Sequence, residues 1–219
     1  MAKRDWIRVI RGGETLCVEF KRQVPKLERM SKSMSAFSNS TGGTVFLGID
    51  DEGQVVGLES PSGTRDLIDQ VCQFHCSPPI EVTYHDWHHP GGATVLVVEI
   101  AEAEVKPVYA VNPKDHKDAW PFFRSGCENL PLDKKSIKTM RRSPSIDVDI
   151  SSLDRHTVNI LNQLASHPRM TVNQLGKSIN ISPHRAKKII VDLERNGWIH
   201  CFFNEKRREY SLVIDWRHR

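Results

Sequence analysis

Apolar residues recur along this chain with two different periods. Over the first part they alternate with polar residues in short runs; over the last part they return every third or fourth position. Residues 5–11 read as a short helix, broken by Gly12 and Gly13. Leu16, Val18 and Phe20 then alternate with Cys17, Glu19 and Lys21, the period of a strand. Leu27, Met30, Met34 and Phe37 share one stripe and predict a helix over 26–38. Asn39-Ser40-Thr41-Gly42-Gly43 reads as a turn. A strand at 44–50, a hairpin turn at Asp51-Glu52-Gly53 and a strand at 54–58 follow. A helix starting at Ser62 and running to 75 comes next. Strands at 80–86, 94–101 and near 120–125, with a short helix near 132–141, complete the region.

From Leu153 onward the pattern is helical. Leu153, Ile160, Leu161 and Leu164 form one face, and Val172, Leu175 and Ile179 a second. A short turn separates Ile179 from Ser182, which stands where an N-cap belongs, with Pro183 in the first helical position. Ala186, Ile189, Ile190 and Leu193 give a third helix its core stripe, and Asn196-Gly197 ends it. Strands are predicted at 198–203 and 209–214, around a turn at 204–207. Helix, helix, tight turn, helix and β-hairpin is the winged helix order. Its third helix would leave Ser182, His184, Arg185, Lys187 and Lys188 outward at the half that enters a major groove. Its wing would carry Lys206, Arg207 and Arg208 toward phosphates.

Charge sharpens this division. Residues 1–150 hold 19 Lys and Arg against 21 Asp and Glu, whereas residues 151–219 hold 12 against 6. A basic final third is the electrostatic footprint of a nucleic-acid-binding module. The stretch at 140–150, rich in Pro, Ser and charge, marks a boundary. The reading is therefore an α+β chain with a mixed α/β domain at 1–142, a linker at 143–152 and a winged helix-turn-helix domain at 153–219. At 219 residues the chain is comfortable for two small domains. No apolar run approaches the roughly 20 residues of a membrane span. No signal peptide follows the basic start, and five scattered cysteines are not a disulfide framework, so a reducing cytoplasmic setting is expected.

The first domain carries a more specific pattern. Gly13-Glu14-Thr15-Leu16-Cys17-Val18-Glu19-Phe20-Lys21 leads to Ala36-Phe37-Ser38-Asn39-Ser40-Thr41-Gly42-Gly43. Gly48-Ile49-Asp50-Asp51-Glu52-Gly53 follows, with Gly57 beyond it. Together with Lys106-Pro107-Val108-Tyr109 and Phe123-Arg124-Ser125-Gly126, these segments resemble the Schlafen AlbA-like domain over roughly residues 5–142. The resemblance implies nucleic-acid binding. Bacterial members that append a winged helix are commonly described as DNA-binding or transcriptional regulators, and some as ATP-binding. It also implies a second function, because the family includes metal-dependent nucleases that cleave structured RNA such as tRNA. Their three carboxylates fall on Glu14, Glu19 and Asp50, a set that would hold Mg²⁺ or Mn²⁺ through oxygen. Lys21 would meet the scissile phosphate. The same residues also suit a surface ion pair and a plain hairpin turn.

Other chemistries find little support. No G-x-x-x-x-G-K-[ST] loop exists, so ATP is not expected as a cofactor. No G-x-S-x-G elbow is present. Cys72, His75 and Cys76, followed by His85, His88 and His89, lack a common zinc spacing and read as a buried thiol pair beside a polar loop. The expected partner is duplex DNA, with RNA as the alternative, bound by a homodimer away from any membrane. A winged helix used for protein contacts is the third reading.

Overall fold

The computed structural model describes residues 5–113, 115–142, 153–204 and 207–213. Its N-terminal domain is layered around one helix. α1 (Trp6–Arg11) precedes β1 (Val18–Lys21), α2 (Leu27–Asn39) and β2 (Gly43–Leu47). α3 (Pro61–Phe74) leads through β3 (Cys76–Ser77) to β4 (Val82–His88) and β5 (Thr94–Ile100). β6 (Tyr109–Asn112), β7 (Asp115–Ser125), β8 (Glu128–Pro131) and α4 (Lys134–Arg142) follow. One sheet has the order β1-β2-β5-β4, with β1 parallel to β2 and the other neighbours antiparallel. The second, antiparallel sheet has the order β3-β6-β7-β8.

Alternation decides which side of β1 faces what. Phe20 packs with Ile10, Phe46, Val95 and Val97 beneath α1. Glu19 points the other way, toward α2. The apolar stripe of α2, Met30, Met34 and Phe37, meets Val45, Leu47, Leu96 and Val98 of the first sheet. The rest of α2 is polar yet buried: Ser31, Ser33, Ser35, Ser38 and Asn39 are all enclosed. The Ser35 hydroxyl and the Asn39 amide serve the second sheet. Ser35 Oγ donates to the Val108 carbonyl at 2.8 Å and accepts the Phe122 N–H at 3.0 Å. Asn39 Nδ2 donates to the carbonyls of Val108 and Phe122, both at 2.8 Å, while its Oδ1 accepts the Val108 N–H at 2.7 Å. A helix side thus takes the place of a neighbouring strand, so the backbone groups of Val108, just before β6, and of Phe122 in β7 have partners.

Several boundaries differ from the pattern-based reading. Asn39 ends α2 instead of opening a turn, because its side chain is needed inside. α3 starts one residue earlier, at Pro61, with Ser60 as its cap. The strand expected at 54–58 is reduced to one bridge, Ile49 to Val55. Gly48 and Gly57, at φ +104° and +78°, turn the chain there, with backbone atoms where a Cβ on Gly48 would lie, 3.2 Å away. The short β3, β6 and β8 have too few residues to show a period.

The C-terminal domain follows its expected order: α5 (Arg155–Ser166), α6 (Val172–Ser178), α7 (Pro183–Arg195), β9 (Ile199–Asn204) and β10 (Arg207–Leu212). Each helix has a side-chain N-cap: Asp154, then Thr171 in a capping box with Gln174, then Ser182. Ile160, Leu161, Leu164, Leu175, Ile190, Leu193, Trp198 and Leu212 form its core. No helix among the described residues is long and apolar enough to cross a membrane.

The two domains share a buried seam. The hairpin turns one face to its own core and the other to β7, β8 and α4. Phe123 stacks on Phe202, with centroids 5.0 Å apart, and meets His200 edge-on at the same distance. Leu132, Met140 and Val213 close the cluster. Ser125 Oγ and Ser211 Oγ share a buried hydrogen bond of 2.8 Å, and Arg169 pairs with Glu128. At Gly126, with φ +57°, a Cβ would lie 2.9 Å from Pro168 Cγ, so the β7–β8 turn fits the second domain only as glycine.

His200 is 4% exposed, and its Nε2 has no hydrogen-bond partner. Burial pushes its imidazole down to about 4 from 6.5. A histidine held neutral stabilises the folded state above its ordinary value, and that contribution is lost as pH falls from 6.5 toward about 4. The full loss is about 3 kcal/mol at roughly 1.4 kcal/mol per unit. Urea titrations should show stability falling across that window, and His200→Leu should flatten it; an unchanged profile would contradict the burial. Calorimetry should show one unfolding transition for the parent and two for Phe202→Asp, which places an unpaired charge in the seam.

Candidate nucleic-acid interface

The site is built from the α6–α7 turn. Asn180 takes a left-handed φ of 55°, and the Ile181 N–H donates to the Gly176 carbonyl at 2.9 Å. Gly176 lets the two helices meet, since a Cβ there would lie 3.1 Å from the Ile181 oxygen. Ser182 Oγ then accepts the Arg185 N–H at 3.2 Å and starts α7. With Ala186, Ile190 and Leu193 buried, helical geometry leaves Ser182, His184, Arg185, Lys187 and Lys188 outward, and all five are exposed. Arg207 and Arg208 are exposed on β10, with Arg207 opposite Asn204 at the end of the hairpin. Lys206 lies outside the described residues. Cationic side chains along a helix and a neighbouring hairpin match the two contacts of a winged helix on a duplex, groove and backbone.

The acidic set is organised differently. Glu19, 3% exposed, faces inward with both oxygens occupied. Its Oε2 accepts from Arg124 Nη1 at 2.6 Å and from Asn129 Nδ2 at 3.4 Å. Its Oε1 accepts from Ser33 Oγ at 2.8 Å and pairs with Lys21 Nζ at 2.9 Å. Arg124 is fully buried. It also donates to Asn129 Oδ1 and to the carbonyls of Leu16 and Thr15, at 2.9, 3.2 and 2.8 Å, and lies over the Phe37 ring at 4.4 Å. Glu14 accepts the Phe20 N–H at 2.7 Å, and Asp50 accepts the Gln54 N–H at 2.7 Å within its hairpin turn.

Glu14, Glu19 and Asp50 therefore hold separate pieces of backbone or charge. Among the described residues, no group of three or more His, Cys, Asp and Glu side chains could hold a metal ion. Glu19 is turned toward α2, and Asp50 lies past the end of β2, so the donors expected to take Mg²⁺ or Mn²⁺ do not fit that role. Lys21 closes on Glu19 and on the Phe20 carbonyl at 2.8 Å. The cysteine and histidine cluster also stays apart. Cys72 and Cys76 are buried free thiols whose pKa values burial raises, while His85 pairs with Glu99 and His88 with Thr94.

Arg124 was legible only as part of the Phe123-Arg124-Ser125-Gly126 segment, and Asn129 and Ser33 carried no signal. Burial pushes the Glu19 carboxyl up, but Arg124 and Lys21, with the hydrogen bonds from Lys21 and Ser33, bring it below its ordinary 4.5. Such a carboxylate stabilises the fold above that value and ceases to do so as pH falls below it. Arg124→Met should cost about 3–5 kcal/mol by stripping the buried Glu19 carboxylate of its enclosed partner and leaving it only the half-exposed Lys21. Glu19→Gln should remove part of the stability loss below pH 4.5; urea titration at two pH values reads both.

The comparisons divide along the same line. The family model for Schlafen, AlbA_2 matches residues 14–133, and that for winged helix-turn-helix DNA-binding matches residues 153–200. No curated protein matches the chain. Among solved structures, the DIP2311 protein from Corynebacterium diphtheriae is similar at 17% identity and a TM-score of 0.43. That match covers 69% of this chain and 30% of the other, so the chain spans under a third of that structure's length. With more than half its residues matched by one family model, the chain belongs to the Schlafen AlbA_2 family and carries a winged helix-turn-helix DNA-binding domain behind it.

Proposed function

We propose that this protein is a cytoplasmic transcriptional regulator that binds duplex DNA through its winged helix. The observation that carries the reading is the exposed basic half of α7, with Arg185, Lys187 and Lys188 outward from a helix whose apolar stripe is buried. Arg185 stands at the position from which a side chain reaches a base edge, and a guanidinium matches the paired acceptors of guanine. Lys187, Lys188, Arg207 and Arg208 supply phosphate contacts. A second copy would read the second half-site, the usual arrangement for helix-turn-helix proteins.

The nuclease reading is the alternative, and its three carboxylates accept from the Phe20 N–H, Arg124 and the Gln54 N–H. One titration series addresses both readings: labelled duplex DNA and tRNA, at several salt concentrations, with Mn²⁺ or chelator. The parent should bind duplex with a steep salt dependence and cleave neither substrate. Arg185→Ala with Lys188→Ala should lower the slope of log affinity against log salt by about 1–2. Metal-dependent cutting of tRNA that Glu19→Ala abolishes would overturn the regulator reading in favour of the enzyme.

A further inference from the structure

We infer that α4 is a further contact to duplex DNA, a phosphate-binding helix set beside the wing. The inference rests on the winged-helix reading above but concerns residues outside it. α4 occupies 134–142, after the end of one family match and before the start of the other. Its sequence, KKSIKTMRR, has five cations and no acidic residue in nine positions. Asp133 Oδ1 accepts the Ser136 N–H at 2.7 Å and caps its start.

The helix is sharply divided. Ile137 and Met140 point into the seam with Phe202 and Val213. Lys134, Lys138 and Arg141 are exposed, and their i, i+4, i+7 spacing puts them on one outer stripe. Arg141 Nη2 donates to the Tyr109 hydroxyl at 2.6 Å, which fixes that guanidinium at the surface. From Lys134 to Arg141 the stripe covers about 10 Å of helix axis. Duplex DNA presents a charge roughly every 1.7 Å, so a stripe of this length can meet several phosphates.

Position selects the ligand. Phe202 stands two strand residues, about 7 Å, from the Asn204–Arg207 pair at the end of the hairpin. The wing and α4 are therefore fastened to one ribbon, well inside the roughly 34 Å of a duplex turn. A basic amphipathic helix can also mark a lipid surface. Here the apolar side is already covered by the hairpin, and only the charge remains to be matched. The polyanion that the wing approaches is duplex nucleic acid.

The test compares Lys134→Ala/Lys138→Ala with Arg185→Ala/Lys188→Ala in the full chain, by anisotropy on two unrelated duplexes across salt, with thermal melts to confirm folding. Two lost phosphate contacts should lower the salt slope by about 1.8, equally on both duplexes, since α4 reads no bases. An unchanged slope for the α4 variant, beside a reduced one for the α7 variant, overturns the inference and leaves the winged-helix reading intact. A loss confined to the α4 variant supports α4 and sinks the α7 reading. A parent that binds neither duplex at low salt removes both.

Discussion

The ion pair between Arg124 and Glu19 is the constraint on which the rest of the molecule depends. A guanidinium and a carboxylate buried this deeply are each several kcal/mol unfavourable alone, so their surroundings must satisfy every group. The loop before β1 gives Arg124 two carbonyls, β8 gives it Asn129, and α2 gives it the face of Phe37 while Ser33 serves Glu19. Four separate elements are tied to one planar group. Neighbours along β7 point the opposite way: Phe123 enters the seam, and Ser125 joins Ser211. The residue that locks the first domain internally therefore also fixes the strand on which the second domain rests.

How much of this was readable in advance follows from the kind of force involved. The winged helix was legible almost residue by residue, because its elements are local. Ser182 and Pro183 announce a helix start, and Ala186, Ile190 and Leu193 announce its buried side. The outward cations then follow from geometry. The first domain was legible as a family pattern and as a set of strands, but its buried polar bonds were not. Asn39 looks like a turn residue until Val108 and Phe122 arrive from 69 and 83 positions away. Among the carboxylates only Glu19 has such a distant partner, Arg124 from 105 positions away, whereas Glu14 and Asp50 accept from backbone six and four residues on. Glu14, Glu19 and Asp50 have the types and order of a metal site, yet their partners are the N–H of Phe20, Arg124 and the N–H of Gln54. Sequence order carries the residue types; it does not carry the direction in which a strand turns Glu19.

A division of labour emerges from these placements. On β7 the buried cation Arg124 faces α2, while Phe123 and Ser125 face the second domain. The recognition helix owes its orientation to neither family pattern alone but to the layer of contacts between them. Charge is distributed accordingly: Lys187 and Lys188 of α7, Arg207 and Arg208 of the hairpin, and Lys134, Lys138 and Arg141 of α4 are exposed, whereas Arg124 and Lys106 are enclosed within the first domain.

The two-sided burial of the hairpin has a consequence for how the parts could live apart. In an isolated winged helix the outer sheet face needs only to be wettable. Here it bears Phe202, Val213 and a histidine kept neutral by its surroundings. Released from the first domain, by proteolysis or by shuffling of genes, the second would expose a greasy ribbon beside an unpaired strand edge. Ribbons of that kind stick to copies of themselves. The seam between the domains therefore guards against clumping as much as it sets an angle.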